Sequence, residues 1–194
     1  LLSDALSHVA LPGIALGIIF KFQPLVGGAL FLLIAAILIW RIEHKTKLAV
    51  ESITGVLFVT ALAIGTLLIP KTELLETFFG SVENISIFQI ILQTLIAIFI
   101  IGVTFKYLKP LVLTSIAPEL TAPLKISQQK MELLLLILIT LTITIGISFV
   151  GILLMSALSI IPAVTARNLS KDFKSFIALS IFLSVISLTT GLII

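Results

Sequence analysis

The stretch LLSDALSHVALPGIALG, residues 1 to 17, sets Asp4 and His8 among small and apolar residues. Four positions apart, the two share a face of any helix that forms there, so a carboxylate oxygen and an imidazole nitrogen can converge on one ion. A mixed oxygen and nitrogen pair suits Zn²⁺, Mn²⁺ or Fe²⁺, and two ligands from one helix leave further coordination positions for other helices or water. The same residues admit plainer roles: an aspartate near a helix end can cap or snorkel, and a histidine can hydrogen-bond a neighbouring helix. What separates these readings is where in the molecule the pair sits.

The surroundings are those of a membrane. Of the 194 residues, 59% are hydrophobic and 11% charged, and the mean hydropathy is +1.32, too apolar for a water-soluble domain. The 12 Lys and Arg against 9 Asp and Glu give a formal charge of +3, but the bases fall between apolar runs. They mark topology and give no reason to expect nucleic acid as a partner. The absence of cysteine excludes disulfides, thiolate metal ligands and cysteine nucleophiles. Uncharged intervals long enough for a helix to cross the hydrocarbon core place seven spans at roughly 1–20, 24–40, 52–70, 86–106, 131–147, 150–166 and 174–193. The interval from Leu133 to Ala166 is too long for one crossing, and Gly146 and Gly151 bracket a short turn that divides it. The expected fold class is therefore all-α, a polytopic transmembrane helix bundle. A first residue that is Leu, with no basic region ahead of the apolar run, points to a piece of a longer chain.

Arg41, Lys45, Lys47, Lys106, Lys109, Lys125, Lys130, Arg167, Lys171 and Lys174 fall on one side of this arrangement, and only Lys21 and Lys71 on the other. The basic side is expected to be cytoplasmic. Twelve residues separate His8 from Lys21, about 18 Å of helix, which takes His8 beyond the midplane of a core about 30 Å thick. Asp4 lies deeper still. Ionisable groups at such depth cost about 2.5–3.5 kcal/mol on insertion scales and are functional candidates by default.

The remaining features are weaker. Segment 71–83, with Glu73, Glu76 and Glu83, is expected to be the main external loop, either simply solvated or a docking rim. Segment 107–130 is expected to be the longest internal loop, with Pro118 and Glu119 suited to start a short helix against the membrane. Gly13 and Gly17 form a small-residue step for close helix packing. Pro12 is expected to bend the first helix beyond His8 and open backbone carbonyls. Ser156, Ser159, Ser187, Thr189 and Thr190 are expected to bond local backbone carbonyls, and Glu43 and His44 to be solvated in a basic loop. The chain holds no G-x-x-x-x-G-K-[ST] phosphate loop, no H-E-x-x-H and no G-x-S-x-G, so nucleotide hydrolysis or proteolysis by those routes is not expected of it.

Three blocks carry a family likeness. LSDALSHVALPGIALG, FFGS at 78–81 and ISFVGILLMSALSIIPAVTAR at 147–167 resemble, in the same order, segments of bacterial zinc- and manganese-type ABC-transporter permeases, and the likeness covers nearly the whole chain. The resemblance implies a single permease domain over 1–194 in the cell membrane, with about eight helices in the family, so that a helix before Leu1 and a tail after Ile194 would be missing here. It implies that Asp4 and His8 line the metal path, and that Mn²⁺ or Zn²⁺ is a transported substrate, with no permanently bound cofactor. It implies as partners a second copy of the chain, an external metal-binding protein and separate ATPase subunits, so the chain is a transport subunit and not itself an enzyme. APELTAPLKI at 117–126 resembles the loop that couples to the ATPase, which assigns that role to Pro118, Glu119 and Leu120. Ala117 stands where Asp is usual and Lys125 where Gly is usual. A proton-coupled secondary transporter with Asp4 and His8 as a relay is the alternative; it would be favoured by internal repeats, and none is evident.

Overall fold

A computed structural model describes residues 2–46, 48–70, 72–80, 86–121 and 123–193. Regular structure among them is helical: α1 (Leu2–Ile19), α2 (Pro24–Thr46), α3 (Val50–Leu68), α4 (Leu74–Phe79), α5 (Ile87–Ile116), α6 (Gln128–Leu169) and α7 (Phe173–Ile193), with a 3-10 turn at Pro118–Leu120. Five of these helices are long and apolar enough to cross a membrane, and α1 is a shorter apolar helix.

Helix α6 is two spans joined end to end. Its 42 residues would run about 63 Å if straight, twice the hydrocarbon thickness. The backbone breaks at Gly151, with φ 74° and ψ 176°, a conformation open essentially to glycine alone. The two halves, 128–150 and 152–169, fold back on each other. Gln129 lies against Trp40 near the end of α2, Thr144 and Ile147 lie beside Ile14 and Gly28, and Ser156 has returned to Asp4 near the start of α1. Gly146 faces Met155 across the hairpin, a contact that a straight helix, advancing about 13.5 Å over that interval, could not make. With α6 divided in this way, each of the seven expected spans has its helix.

The core is built on α1, which packs against α2, α3 and α6. Leu6, Leu11 and Ala15 on α1 are fully buried among Leu32, Ile39, Ile143 and Ile152. The small-residue step does what its spacing predicts: a Cβ on Gly13 would overlap the carbonyl of Gly27, so α1 and α2 approach closely only because both positions are glycine. Helices α5 and α7 sit at the periphery, and their exposed Ile98, Phe99, Ile181 and Phe182 form the apolar surface that hydrocarbon covers.

Two boundaries differ from expectation. The internal loop does not begin at 107, because α5 continues through Pro110 to Ile116, leaving 117–127 as the connector. A proline costs an α-helix one donor and does not necessarily end it. The segment after α3 contains the short helix α4, packed on α6; Lys71, Ser81 and Glu83 of that segment lie outside the described residues. Helix α1 runs without interruption through Pro12. The proline's local effect is to remove the N–H that would ordinarily bond the carbonyl of His8, four residues before.

Candidate metal site

His8 and Asp4 share the inner face of α1 as their spacing requires, with His8 Nε2 4.0 Å from Asp4 Oδ1. The His8 side chain is 11% exposed and that of Asp4 36%, so the imidazole is enclosed while the carboxylate looks into open space. That space is a cavity of about 200 Å³ between α1 and α3, lined by Asp4, Val50, Glu51, Thr54, Gly55 and Phe58. Phe58 meets the imidazole edge-on, ring centroids 5.1 Å apart and planes at 77°, which limits rotation of the ring. From the second half of α6, the Ser156 hydroxyl donates to Asp4 Oδ1. Three helices therefore set this pair: α1 supplies both side chains, α3 packs the histidine, and the second half of α6 orients the aspartate.

His8 Nδ1 is buried and has no hydrogen-bond partner among the described residues. A buried imidazole nitrogen left unpaired costs about 1–3 kcal/mol, so such groups call for an explanation beyond packing. With the His8 carbonyl also deprived of its helical donor by Pro12, polar groups gather on one short segment of α1 in an otherwise apolar interior. A cation with oxygen and nitrogen preferences is the chemistry this arrangement fits.

The structure corrects two expectations about polar residues. Ser159, Thr189 and Thr190 bond local backbone carbonyls as expected, but Ser156 reaches across to Asp4. Glu43 and His44 are not solvated in a loop: α2 carries them to its last turns, both are half-buried, and His44 Nε2 lies 3.2 Å from Glu132 Oε2 at the start of α6. Glu51 and Phe58 also join the site, although in the sequence Glu51 marks only the edge of a span. Their contribution depends on the packing of α3 against α1, which spacing alone does not reveal.

Pro118, Glu119 and Leu120 lie on an exposed 3-10 turn against the end of α5, on the basic side of the bundle. Ala117 occupies its N-cap position and offers no side-chain cap; an aspartate there would supply one. Lys125 adopts φ 56°, the left-handed conformation that glycine enters without strain. Both departures from the family pattern thus fall where the backbone gives the usual residue a clear role. At the opposite side, Gly80 (φ 78°) and Gly151 (φ 74°) press together, and a Cβ on either would collide with the other's backbone. Phe78, Phe79 and Gly80 of the first block and the start of the block beginning ISFVG, distant in sequence, meet at that contact.

The model of the ABC 3 transport family matches residues 1–194. The chain belongs to that family. It is 31% identical over 98% of its length to the high-affinity zinc uptake system membrane protein ZnuB of Haemophilus influenzae, covering 75% of that protein. It is also 31% identical to the manganese import system permease protein ScaB of Streptococcus gordonii, of which it covers 71%. Among solved structures, PsaBC from Streptococcus pneumoniae in complex with Fab superposes with a TM-score of 0.76 at 28% identity, over 98% of this chain and 70% of that one. Family membership and apolar helices together make this ABC 3 member a multi-pass protein of the cell membrane and a permease subunit, not an enzyme in its own right.

Proposed function

We propose that the chain passes a divalent transition metal, Mn²⁺ or Zn²⁺, into the cytoplasm, with Asp4 and His8 as transient ligands. One observation carries this reading: His8, whose buried Nδ1 has no partner among the described residues, holds its other ring nitrogen 4.0 Å from a carboxylate that faces a cavity on the basic side. The names of the zinc and manganese relatives support the same class of cargo. In the working cycle an external binding protein delivers the ion, Asp4 and His8 replace part of its hydration shell, and the ion leaves through the α1–α3 cavity. Two firm protein ligands hold it loosely enough to release. A second copy of the chain completes the pathway, and a pair of ATPase subunits drives the cycle through Pro118, Glu119 and Leu120.

The test is uptake of radioactive Mn²⁺ and Zn²⁺ by cells whose only copy of this permease carries Asp4→Asn or His8→Ala. At equal membrane abundance, each change is expected to lower uptake of the cognate ion at least tenfold. Wild-type uptake by both variants would overturn the assignment of these ligands.

A further inference from the structure

A second constellation lies at the basic end of the bundle, where the last turns of α2 meet the first turn of α6. One ligand atom each from Glu43, His44 and Glu132 lies within 4.8 Å of the others, and all three residues are half-buried. The backbone carbonyl of Trp40 accepts a hydrogen bond from His44 Nδ1 at 2.8 Å. A carbonyl can only accept, so Nδ1 carries the proton, and in the neutral ring Nε2 presents a lone pair. That lone pair faces Glu132 Oε2 at 3.2 Å. Two electron-rich atoms so placed need a cation between them, either a proton on the ring or a metal ion.

Three features favour the metal. The separation of 3.2 Å is close to the roughly 3.3 Å expected between two ligands about 2.0–2.1 Å from one tetrahedral ion. Both groups are held from behind: His44 by the Trp40 carbonyl, and Glu132 by Gln128 Nε2, which donates to Oε1 at 2.8 Å and leaves Oε2 free. Such outer hydrogen bonds orient metal ligands. Trp40 also clamps α2 to α6 by donating its indole N–H to the Gln129 carbonyl at 3.1 Å. Finally, neither Glu43 nor Glu132 forms an ion pair with lysine or arginine among the described residues, so His44 alone stands against two carboxyl groups. Because Glu51 lines the cavity beside Asp4, acidic groups continue from the first site toward the second.

We infer that Glu43, His44 and Glu132 form a second divalent-cation site, which receives the ion after Asp4 and His8 release it toward the cytoplasm. Its position in that sequence rests on the function proposed above. Its existence does not.

The experiment titrates Mn²⁺ into the purified full-length protein in detergent, following loss of the free-ion electron paramagnetic resonance signal. Thermal unfolding establishes that each variant is folded. Wild type is expected to bind two ions per chain, and the Asp4→Asn/His8→Ala double variant one. Adding Glu132→Gln or His44→Lys to that background should weaken the remaining site at least tenfold. His44→Lys keeps a cation against Glu132 but removes the imidazole ligand, so undiminished Mn²⁺ binding in this variant would identify an ion pair and overturn the proposal. A double variant that binds no Mn²⁺ would also overturn it while leaving the Asp4/His8 assignment intact. If the double variant retains both ions and Glu132→Gln removes one, the second site stands and the assignment of Asp4 and His8 falls.

Discussion

Ser156 shows how one residue changes the character of the site. A carboxylate on the cavity wall is free to swing toward water, and the serine hydroxyl restrains it. A hydrogen bond to a charged acceptor contributes about 1.5–3 kcal/mol, so Ser156→Ala should loosen Asp4 and weaken Mn²⁺ binding about tenfold, since 1.4 kcal/mol corresponds to one decade. Isothermal titration against the wild-type protein checks this, and unchanged affinity would make the serine incidental to metal binding. Asp4 and His8 were legible from the sequence because their relation is local, one helical turn apart in an apolar run. Ser156 was not, because its partner lies 152 positions away and a helix always offers a serine a nearby carbonyl as the simpler acceptor. Glu43 and His44 were obscured differently: flanked by Arg41, Lys45 and Lys47, they look solvated until α6 places Glu132 beside them.

Among the elements, α6 and α4 constrain each other through a pair of glycines. The division of α6 was legible, since its apolar interval exceeds one crossing and contains glycines where a turn must fall. What the turn receives was not: Gly80 enters against Gly151 so closely that neither tolerates a side chain. Gly151→Ala should therefore combine backbone strain of about 1–3 kcal/mol with overpacking of similar size. Gly146→Ala is the informative comparison, because its added methyl meets the flexible end of Met155, which can move aside. Thermal unfolding in detergent should show a marked loss for Gly151→Ala and a small one for Gly146→Ala; equal effects would contradict the structural role given to the Gly80–Gly151 contact. The extension of α5 to Ile116 escaped the sequence for a general reason. Hydropathy marks where hydrocarbon ends, and a 30-residue helix, about 45 Å long, continues past that boundary into water.

At the scale of the molecule, the α1–α3 cavity, the Glu43/His44/Glu132 cluster and the turn at Pro118–Leu120 all lie on the basic side, whereas the Gly80–Gly151 contact lies on the other. Under the function proposed above, this arrangement separates holding the ion from driving its release. Asp4 and His8 are set by α1, α3 and α6, while Pro118, Glu119 and Leu120 project from the end of α5. A change confined to the turn should therefore spare metal binding and fold yet disconnect them from ATP. Leu120 is the residue to alter: it is 49% exposed, so replacing it removes little packing within the chain, while an apolar side chain on an exposed turn suits a partner's surface. Leu120→Glu should leave thermal unfolding and Mn²⁺ affinity within about twofold of wild type. ATP-driven uptake into vesicles carrying the assembled transporter should fall at least tenfold, because burying an unpaired charge at a partner contact opposes assembly. Uptake that survives Leu120→Glu would remove this turn from the coupling route. Loss of both Mn²⁺ binding and uptake would show instead that the two ends are not separable, and that the turn helps to shape the ion site itself.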